Sequence, residues 1–359
     1  MGMSAGTAEG GRREDKLLVT ARAGDHDAFR QLVEAHRTEL HAHCYRMLGS
    51  VHDAEDALQD ALLRAWRGLA KFEGRSSIRT WLYRVATNVC LDVIARRPKR
   101  VLPIDYGPAA DPHDGPGEPH MESIWVEPYA DEQLGLEGGY ASDEAHYERR
   151  ESVELAFIVA LQQLPATQRA ALILRDVLGF SAEETAEALD TTVASANGAL
   201  RRARKAVTDK LPERSQQATL RGLGDDRVRK LVERYIDAWE RSDVDAILSM
   251  LADDATFTMP PLPTWYRGRD AIRTFLVRFA LRDPWRLVPV RANGQLAFGN
   301  YGWETEKKRY TAETLDVLTL DGPTVTEITS FVTPSTRGPA RERFAAEVFE
   351  RFGIPGHID

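Results

Sequence analysis

Val51-His-Asp53-Ala-Glu-Asp56-Ala-Leu-Gln59-Asp60-Ala-Leu-Leu-Arg-Ala-Trp66, followed after a short turn by Phe72-Glu-Gly74-Arg-Ser-Ser-Ile-Arg-Thr80-Trp81-Leu-Tyr83-Arg84-Val-Ala-Thr-Asn88, is the stretch on which the reading of this chain depends. In its first half Leu58, Leu62, Ala65, Trp66 and Leu69 recur at i, i+4, i+7, i+8 and i+11, which predicts an amphipathic helix. One face packs, and a carboxylate-rich face is left for water or a basic partner. The second half predicts a helix from Ile78 to about Arg97, on the spacing of Ile78, Leu82, Val85, Val89 and Ile94. Between Lys71 and Arg100 stand eight Lys or Arg and two acids, a local cation in a chain of net charge -8. Such a patch is the electrostatic footprint of a polyanion. Phe72, Trp81 and Tyr83 are interleaved with Arg75, Arg79 and Arg84, and a ring beside a guanidinium suits an unstacked base better than an intact duplex.

These two motifs at this spacing resemble region two of the extracytoplasmic-function sigma factors of bacterial RNA polymerase, and the resemblance covers residues 15–100. It implies two partners, core RNA polymerase and promoter DNA. Asp53, Asp56, Gln59 and Asp60 would bind the polymerase clamp. Phe72, Arg75, Ser76, Arg79, Trp81, Arg84 and Asn88, with Arg96 and Arg97, would contact promoter DNA, Asn88 and the turn Glu73 to Ile78 holding a flipped minus-ten base. Trp81 and Tyr83 also fit a place in the core.

A chain of 359 residues has room for two or three domains, and 43% hydrophobic content can fill real cores. No apolar run approaches a membrane span, so no membrane partner is expected. Met1 to Arg13 is rich in Gly and small residues and reads as a disordered tail through residue 14, with a cytoplasmic location expected. Cys44 and Cys90 fall inside helical patterns, which argues against a disulfide framework. His36, His41, His43 and Cys44 match no standard zinc spacing, so neither a metal nor a cofactor is expected. Upstream of the opening stretch, Leu17 to Ala21 and Phe29 to Leu48 form two supporting helices broken at Gly24-Asp25.

The chain changes character at Val101. From Pro103 to Glu148 there are twelve acids and no Lys or Arg, so residues 101–148 read as an acidic linker without a core of its own. Ile124-Trp-Val-Glu-Pro-Tyr129 is an apolar island within it. It resembles a segment of long-linker members of the family, whose linker threads toward the polymerase active-site channel. Residues 149–211 form a second helical module. Ser181 with Glu184 makes a capping box, Leu189 to Thr192 a turn, and a helix from about Val193 ends in Arg201-Arg-Ala-Arg204-Lys205. This helix-turn-helix resembles sigma region four, which reads the minus-thirty-five element. It lacks early arginines in the recognition helix, so Ser195 and Asn197 are the candidates near the bases and Arg201, Arg202, Arg204 and Lys205 the phosphate contacts. Gly198 costs a helix about 1 kcal/mol relative to Ala, and either the backbone approaches DNA there or the residue is tolerated.

A linker at 212–224 leads to a third region at 225–340, and a C-terminal helix and tail follow at 341–359. Val228, Leu231, Val232, Tyr235, Ile236 and Trp239 predict an amphipathic helix, followed by a shorter one and then β-rich runs at 255–259, 285–290, 296–303, 310–320 and 324–332. The expectation is two helices and a curved antiparallel sheet. Tyr235-Ile-Asp-Ala-Trp239, Ala252-Asp-Asp-Ala255 and Tyr266-Arg-Gly268-Arg-Asp-Ala-Ile272 resemble the SnoaL-like or ketosteroid-isomerase-like cone family. The fold class is therefore multidomain: two all-α sigma modules, a region 2 bundle and a region 4 helix-turn-helix, plus a C-terminal α+β SnoaL-like cone. Members of the cone fold include enzymes that place His, Asp or Tyr in an apolar pocket. Here no histidine stands between Asp225 and Pro355, and Asp253, Tyr266 and Tyr301 are the remaining candidates, so no catalytic residue and no enzyme activity are expected. Pro260, Pro261, Trp265, Tyr266 and Arg267 form an aromatic lip read as a regulatory surface, and a small apolar ligand is a further partner for the cone. The alternatives are a helix-turn-helix regulator that works without polymerase, separated by its lack of need for the acidic Asp53–Asp60 helix, and a cone-fold isomerase or cyclase carrying DNA-binding modules.

Overall fold

The computed structural model describes residues 5–120, 124–134, 144–332 and 339–359. Parts of the expected tail, linker and cone boundary, at 1–4, 121–123, 135–143 and 333–338, lie outside the described residues. The chain forms two compact units, one of Met1–Arg97 with Leu161–Asp209 and the other of Pro98–Ala160 with Lys210–Asp359. Region 2 thus shares a unit with region 4, and the linker shares one with the cone.

In the first unit α1 (Ala5–Arg22), α2 (His26–Leu48), α3 (Val51–Gly68) and α4 (Ile78–Ile94) make the region 2 bundle. The helix α1 begins inside the segment expected to be disordered. Each later boundary has a local cause. Asp25 accepts from the amides of Asp27 and Ala28 at 2.9 Å, Gly49 ends α2 at φ 68°, Ser50 caps α3 and Ser77 caps α4. Leu40, Tyr45, Met47, Leu69 and Tyr83 fill the core. The linker carries the short α5 (Pro103–Tyr106) and α6 (Glu144–Glu151), and α7 (Leu155–Gln162) leads into region 4. There α8 (Ala166–Leu172) runs into a π turn at Ile173–Val177, then come α9 (Ala182–Ala188) and α10 (Val193–Thr208). Ser181 and Glu184 form the full capping box, Asp190 takes φ 47° in the turn, and Thr192 caps α10.

In the second unit α11 (Gln216–Leu223) occupies what was expected to be a plain linker. The cone follows, with α12 (Asp225–Glu240), α13 (Val244–Ser249), β1 (Leu251–Thr258), β2 (Trp265–Arg267), α14 (Arg269–Arg278), β3 (Trp285–Ala292), β4 (Gln295–Glu304), β5 (Arg309–Asp321), β6 (Thr324–Val332), α15 (Pro339–Glu350) and β7 (His357–Ile358). The sheet order is β2-β1-β6-β5-β4-β3, with β7 added to β5. The expected purely antiparallel sheet is corrected in one place, since β1 runs parallel to β6, the crossover between them being the rest of the cone. Val228, Leu231, Tyr235 and Trp239 of α12 bury against Phe298, Leu318 and Ile328 of the sheet.

The apolar island of the linker is packed: Tyr129 is fully buried and Ile124, Trp125 and Val126 are nearly so. The turn Asn293-Gly294 between β3 and β4 holds it. Asn293 donates its backbone amide to Tyr129 O at 2.8 Å, accepts from the Tyr129 amide through Oδ1 at 2.9 Å and reaches Val153 O at 2.7 Å, while Gly294 donates to Asp131 at 2.7 Å. Asn293 lies at φ 55° and Gly294 at φ 68°, the left-handed pair of a tight hairpin turn. A side chain at Gly294 would collide with Gln217 and the Arg150 backbone.

Candidate polymerase, promoter and regulatory surfaces

The carboxylate face of α3 divides in two. Asp56, Gln59 and Asp60 are exposed, with Asp60 paired to Arg64 at 3.1 Å. Asp53 is not part of that face: it is 6% exposed and ion-paired with Arg97, while its amide donates to the Ser50 cap at 3.1 Å. The role expected of Arg97 on DNA is thereby tied to Asp53.

The promoter-facing candidates are gathered along α4 and the turn before it, and several are engaged within the unit. Phe72 is buried against Trp81, ring centroids 5.1 Å apart, so it supports the turn from beneath. Ser76 and Trp81 are half-buried, and Asn88 and Arg96 are exposed. Arg75 pairs with Glu73, Arg79 with Glu39 at 3.3 Å and Arg84 with Glu187 at 3.1 Å. Arg100, counted with the cationic run, is buried and donates to Trp125 O at 2.5 Å. Tyr83 is a core residue, its hydroxyl 3.3 Å from Glu39 and its acidity weakened first by burial. The unit therefore carries carboxylates already set against the cations that spacing alone left open to DNA.

One of those carboxylates, Glu187, comes from region 4, and Glu184 makes a second contact beside it. Glu184 accepts from Thr80 Oγ1 at 3.1 Å and Glu187 from Arg84, both from α9 onto α4. Phe180 meets the Tyr83 ring edge-on at 5.5 Å, and Arg79 lies over both rings. Beside this, the buried Arg169 donates to Met47 O and, at 2.5 Å, to Gln162 Oε1, and burial pulls its guanidinium down to about 10. Further along, α10 presents Ser195, Asn197, Arg201, Arg202 and Lys205 to solvent. Arg204 is also exposed but is held bidentately by Asp176 at 2.7 and 2.9 Å.

His43 is buried, bonded to Thr87 at 2.9 Å, with its pKa lowered to about 3 by desolvation, so it is a neutral core imidazole. Among the described residues no group of three or more His, Cys, Asp or Glu is placed to hold a metal.

The cone lip is covered by the linker. Trp265 Nε1 donates to Gly107 O at 2.8 Å, the Ala110 amide to Trp265 O at 2.9 Å, Thr264 to Pro116 O at 2.6 Å and the His120 amide to Pro261 O at 3.0 Å. Trp265 and Tyr266 are buried, Pro260 likewise, and only Arg267 of the five lip residues is well exposed, 4.0 Å from Asp254. Of the catalytic candidates, Asp253 is exposed and pairs with Arg269 at 2.9 Å, Tyr301 donates to Pro355 O at 2.7 Å, and burial raises Tyr266 to about 12. Sequence reasoning passed over Asp316, which is 1% exposed on β5 and within 3.3 Å of both Tyr235 and Thr314. Burial raises its pKa. The alternation of β5 could have placed it inward, since Asp316 shares a strand face with Leu318 and Leu320, both buried in the core.

Residues 32–100 match the Sigma-70 region 2 family, residues 154–207 Sigma-70 region 4, and residues 232–328 the SnoaL-like domain. The sigma factor SigG of Mycobacterium tuberculosis is 40% identical over 285 residues, covering 78% of this chain and 74% of its own. This chain belongs to the extracytoplasmic-function sigma factors. SigM of the same organism is 34% identical over 200 residues, 54% of this chain and 84% of its own. The crystal structure of Mycobacterium tuberculosis SigJ, 24% identical, superposes with a TM-score of 0.54 over 87% of this chain and 97% of that one, a likeness of fold. As a sigma factor the protein partners with core RNA polymerase and promoter DNA, and the exposed acidic row of α3 and the cationic end of α10 lie in the two matched sigma regions. Among the described residues no helix is long and apolar enough to cross a membrane.

Proposed function

We propose that this sigma factor docks on core polymerase through Asp56, Gln59 and Asp60, opens the minus-ten element with α4 and Asn88, reads the minus-thirty-five element with α10, and is controlled without catalysis by its cone. The observation that carries the regulatory part is the linker: the chain between the two DNA-reading regions is bonded along the cone lip from Gly107 to His120 and at the Asn293 turn. A linker held in this way cannot follow another path until those bonds are released. The docking role rests on the row of exposed carboxyl and amide groups one helical turn apart, suited to a basic partner. Asp53 serves this surface indirectly, by holding Arg97 and the start of α3.

The test is charge reversal. Asp56→Lys with Asp60→Lys should weaken binding to core polymerase by about tenfold or more with the melting temperature nearly unchanged, because both side chains are exposed. Unchanged affinity in a core-binding titration would remove this assignment.

A further inference from the structure

Arg204 differs from the other cations of α10. Arg201, Arg202 and Lys205 are exposed, and among the described residues Arg204 is the one of the four that meets a carboxylate. Asp176 takes it side-on: Arg204 Nε donates to Oδ2 at 2.9 Å and Nη2 to Oδ1 at 2.7 Å. A guanidinium has five N–H groups, so two are used and three remain. Two of the three, one on Nη1 and one on Nη2, form the end-on edge, a fork that matches two oxygens of one phosphate. The carboxylate leaves that edge open while it fixes the plane in which the edge lies.

Asp176 is itself set by the backbone. It is the only acid of the π turn Ile173–Val177, across which the Leu178 amide donates to Ile173 O at 3.0 Å. Such a turn carries one residue more than an α turn, and π turns recur at functional sites. Two bonds hold it in place, from the Arg175 guanidinium to Phe180 O and from the Phe180 amide to Leu174 O at 2.9 Å. Ile173 and Leu174 are fully buried, and α8, which leads into the turn, packs on α10. The Arg204–Asp176 pair is 58% and 31% exposed, so it contributes little to stability. Its effect falls on the orientation of Arg204.

We propose that Asp176 is a positioning residue of the promoter-binding surface, holding Arg204 so that its end-on fork meets one phosphate beside the minus-thirty-five element. This rests on the reading of α10 as the helix that binds that element. By charge alone Asp176 opposes a polyanion, and removing it would tighten binding. By position it favours binding, because a free arginine side chain gives up its rotamer freedom when it meets a phosphate, and Arg204 has already given it up. The two effects have opposite signs and are therefore separable.

The experiment uses the full chain bound to core RNA polymerase and a labelled duplex that the parent holoenzyme selects from a pool randomised at the minus-thirty-five element, with binding read by fluorescence anisotropy over a salt series. Asp176→Ala should weaken binding about fivefold, with the melting temperature of the chain nearly unchanged because the pair is exposed. Asp209→Ala removes an exposed acid at the end of α10 that has no ion pair among the described residues, and it should tighten binding slightly. Arg204→Ala should weaken binding and lower the salt slope by about one, and Arg204→Lys, which keeps the charge without the fork, should recover the slope but not the affinity. Added to Arg204→Ala, the change Asp176→Ala should tighten binding as Asp209→Ala does, because nothing is left to position. The proposal alone is overturned if Asp176→Ala leaves binding unchanged or tightens it, if it weakens binding equally with and without Arg204, or if Arg204→Lys binds like the parent. No selected sequence at that element, or unchanged binding in both Arg201→Ala and Arg204→Ala, overturns the reading of α10 and this proposal with it.

Discussion

Asp53 and Asp56 stand one turn apart on α3, and packing gives them different tasks. Helical spacing put both on one carboxylate face, but the end of α4 brings Arg97 over Asp53 and buries it, leaving Asp56 to solvent. Such a division comes from a neighbour distant in sequence, and periodicity along one helix carries no information about it. Gly198 poses a question of the same scale. A Cβ there would meet only Arg202 Nη1, at an ordinary 3.5 Å, so Gly198→Ala should raise stability by about 0.5–1 kcal/mol in urea unfolding. The same variant should lose affinity for minus-thirty-five DNA if the backbone lies against it, as read by a binding titration; retained affinity assigns the glycine to tolerance. Glu154 offers a pH test. It is buried, accepts from the amides of Gln216 and Gln217 at 3.0 and 2.9 Å, and desolvation pushes its pKa up from 4.5 to about 7. The folded chain then keeps a proton that the unfolded chain releases, so this contribution to stability is full below about 4.5 and is lost as pH rises through about 7. Glu154→Gln should flatten that decline, by on the order of 3 kcal/mol at most, in unfolding measured across this pH window.

At the scale of elements, α9 lies on α4 through Glu184 and Glu187, and this pairing covers part of the helix proposed to read the minus-ten DNA. The Arg84–Glu187 pair is 42% and 49% exposed, so it is worth little to stability and is readily exchanged for phosphate. Glu187→Lys should therefore shift stability by less than about 1 kcal/mol while raising binding of the polymerase-free chain to single-stranded minus-ten DNA by about threefold. Fluorescence anisotropy with labelled oligonucleotide reads this, and unchanged binding would show that α9 is no obstacle. The helices themselves were legible because their caps are local: Ser77, Ser181 and Thr192 bond amides three residues on. The β runs of the cone were legible through alternation, whereas the parallel pairing of β1 with β6 was not, since it joins segments about seventy residues apart.

At the scale of the whole molecule, the acidic linker is the part whose character changes most between sequence and structure. Ile124, Trp125, Val126 and Tyr129 are all under 9% exposed, in a segment joined to the cone at the Asn293 turn. Burial of each such side chain stabilises by about 1.5–3 kcal/mol, and a chain ending after Leu211 loses at least the Asn293 contacts that hold Tyr129. That truncation should make residues 101–134 sensitive to limited proteolysis while the region 2 bundle stays resistant, because the bundle has a core of its own. Full protection of the segment in the truncated chain would show that the linker holds its conformation unaided. Promoter affinity and transcript yield of the same pair with saturating core polymerase then report how much of sigma activity the cone governs.

By itself the sequence determined the helices of the two sigma modules, the first two helices and the β runs of the cone, and which family motifs they carry, since caps, turns and apolar periodicity act over a few residues, while α1 upstream of residue 15 and α11 escaped it. The tertiary structure decided which charges remain open, that Phe72 supports the turn from within, and that an apolar island in an acidic run is part of the unit containing the cone. It also decided that Asp316 and Asn300 share a cavity with Pro116. The physical reason is the same in each case: burial and charge pairing depend on partners brought close by folding, and those partners lie too far along the chain for any local pattern to name them.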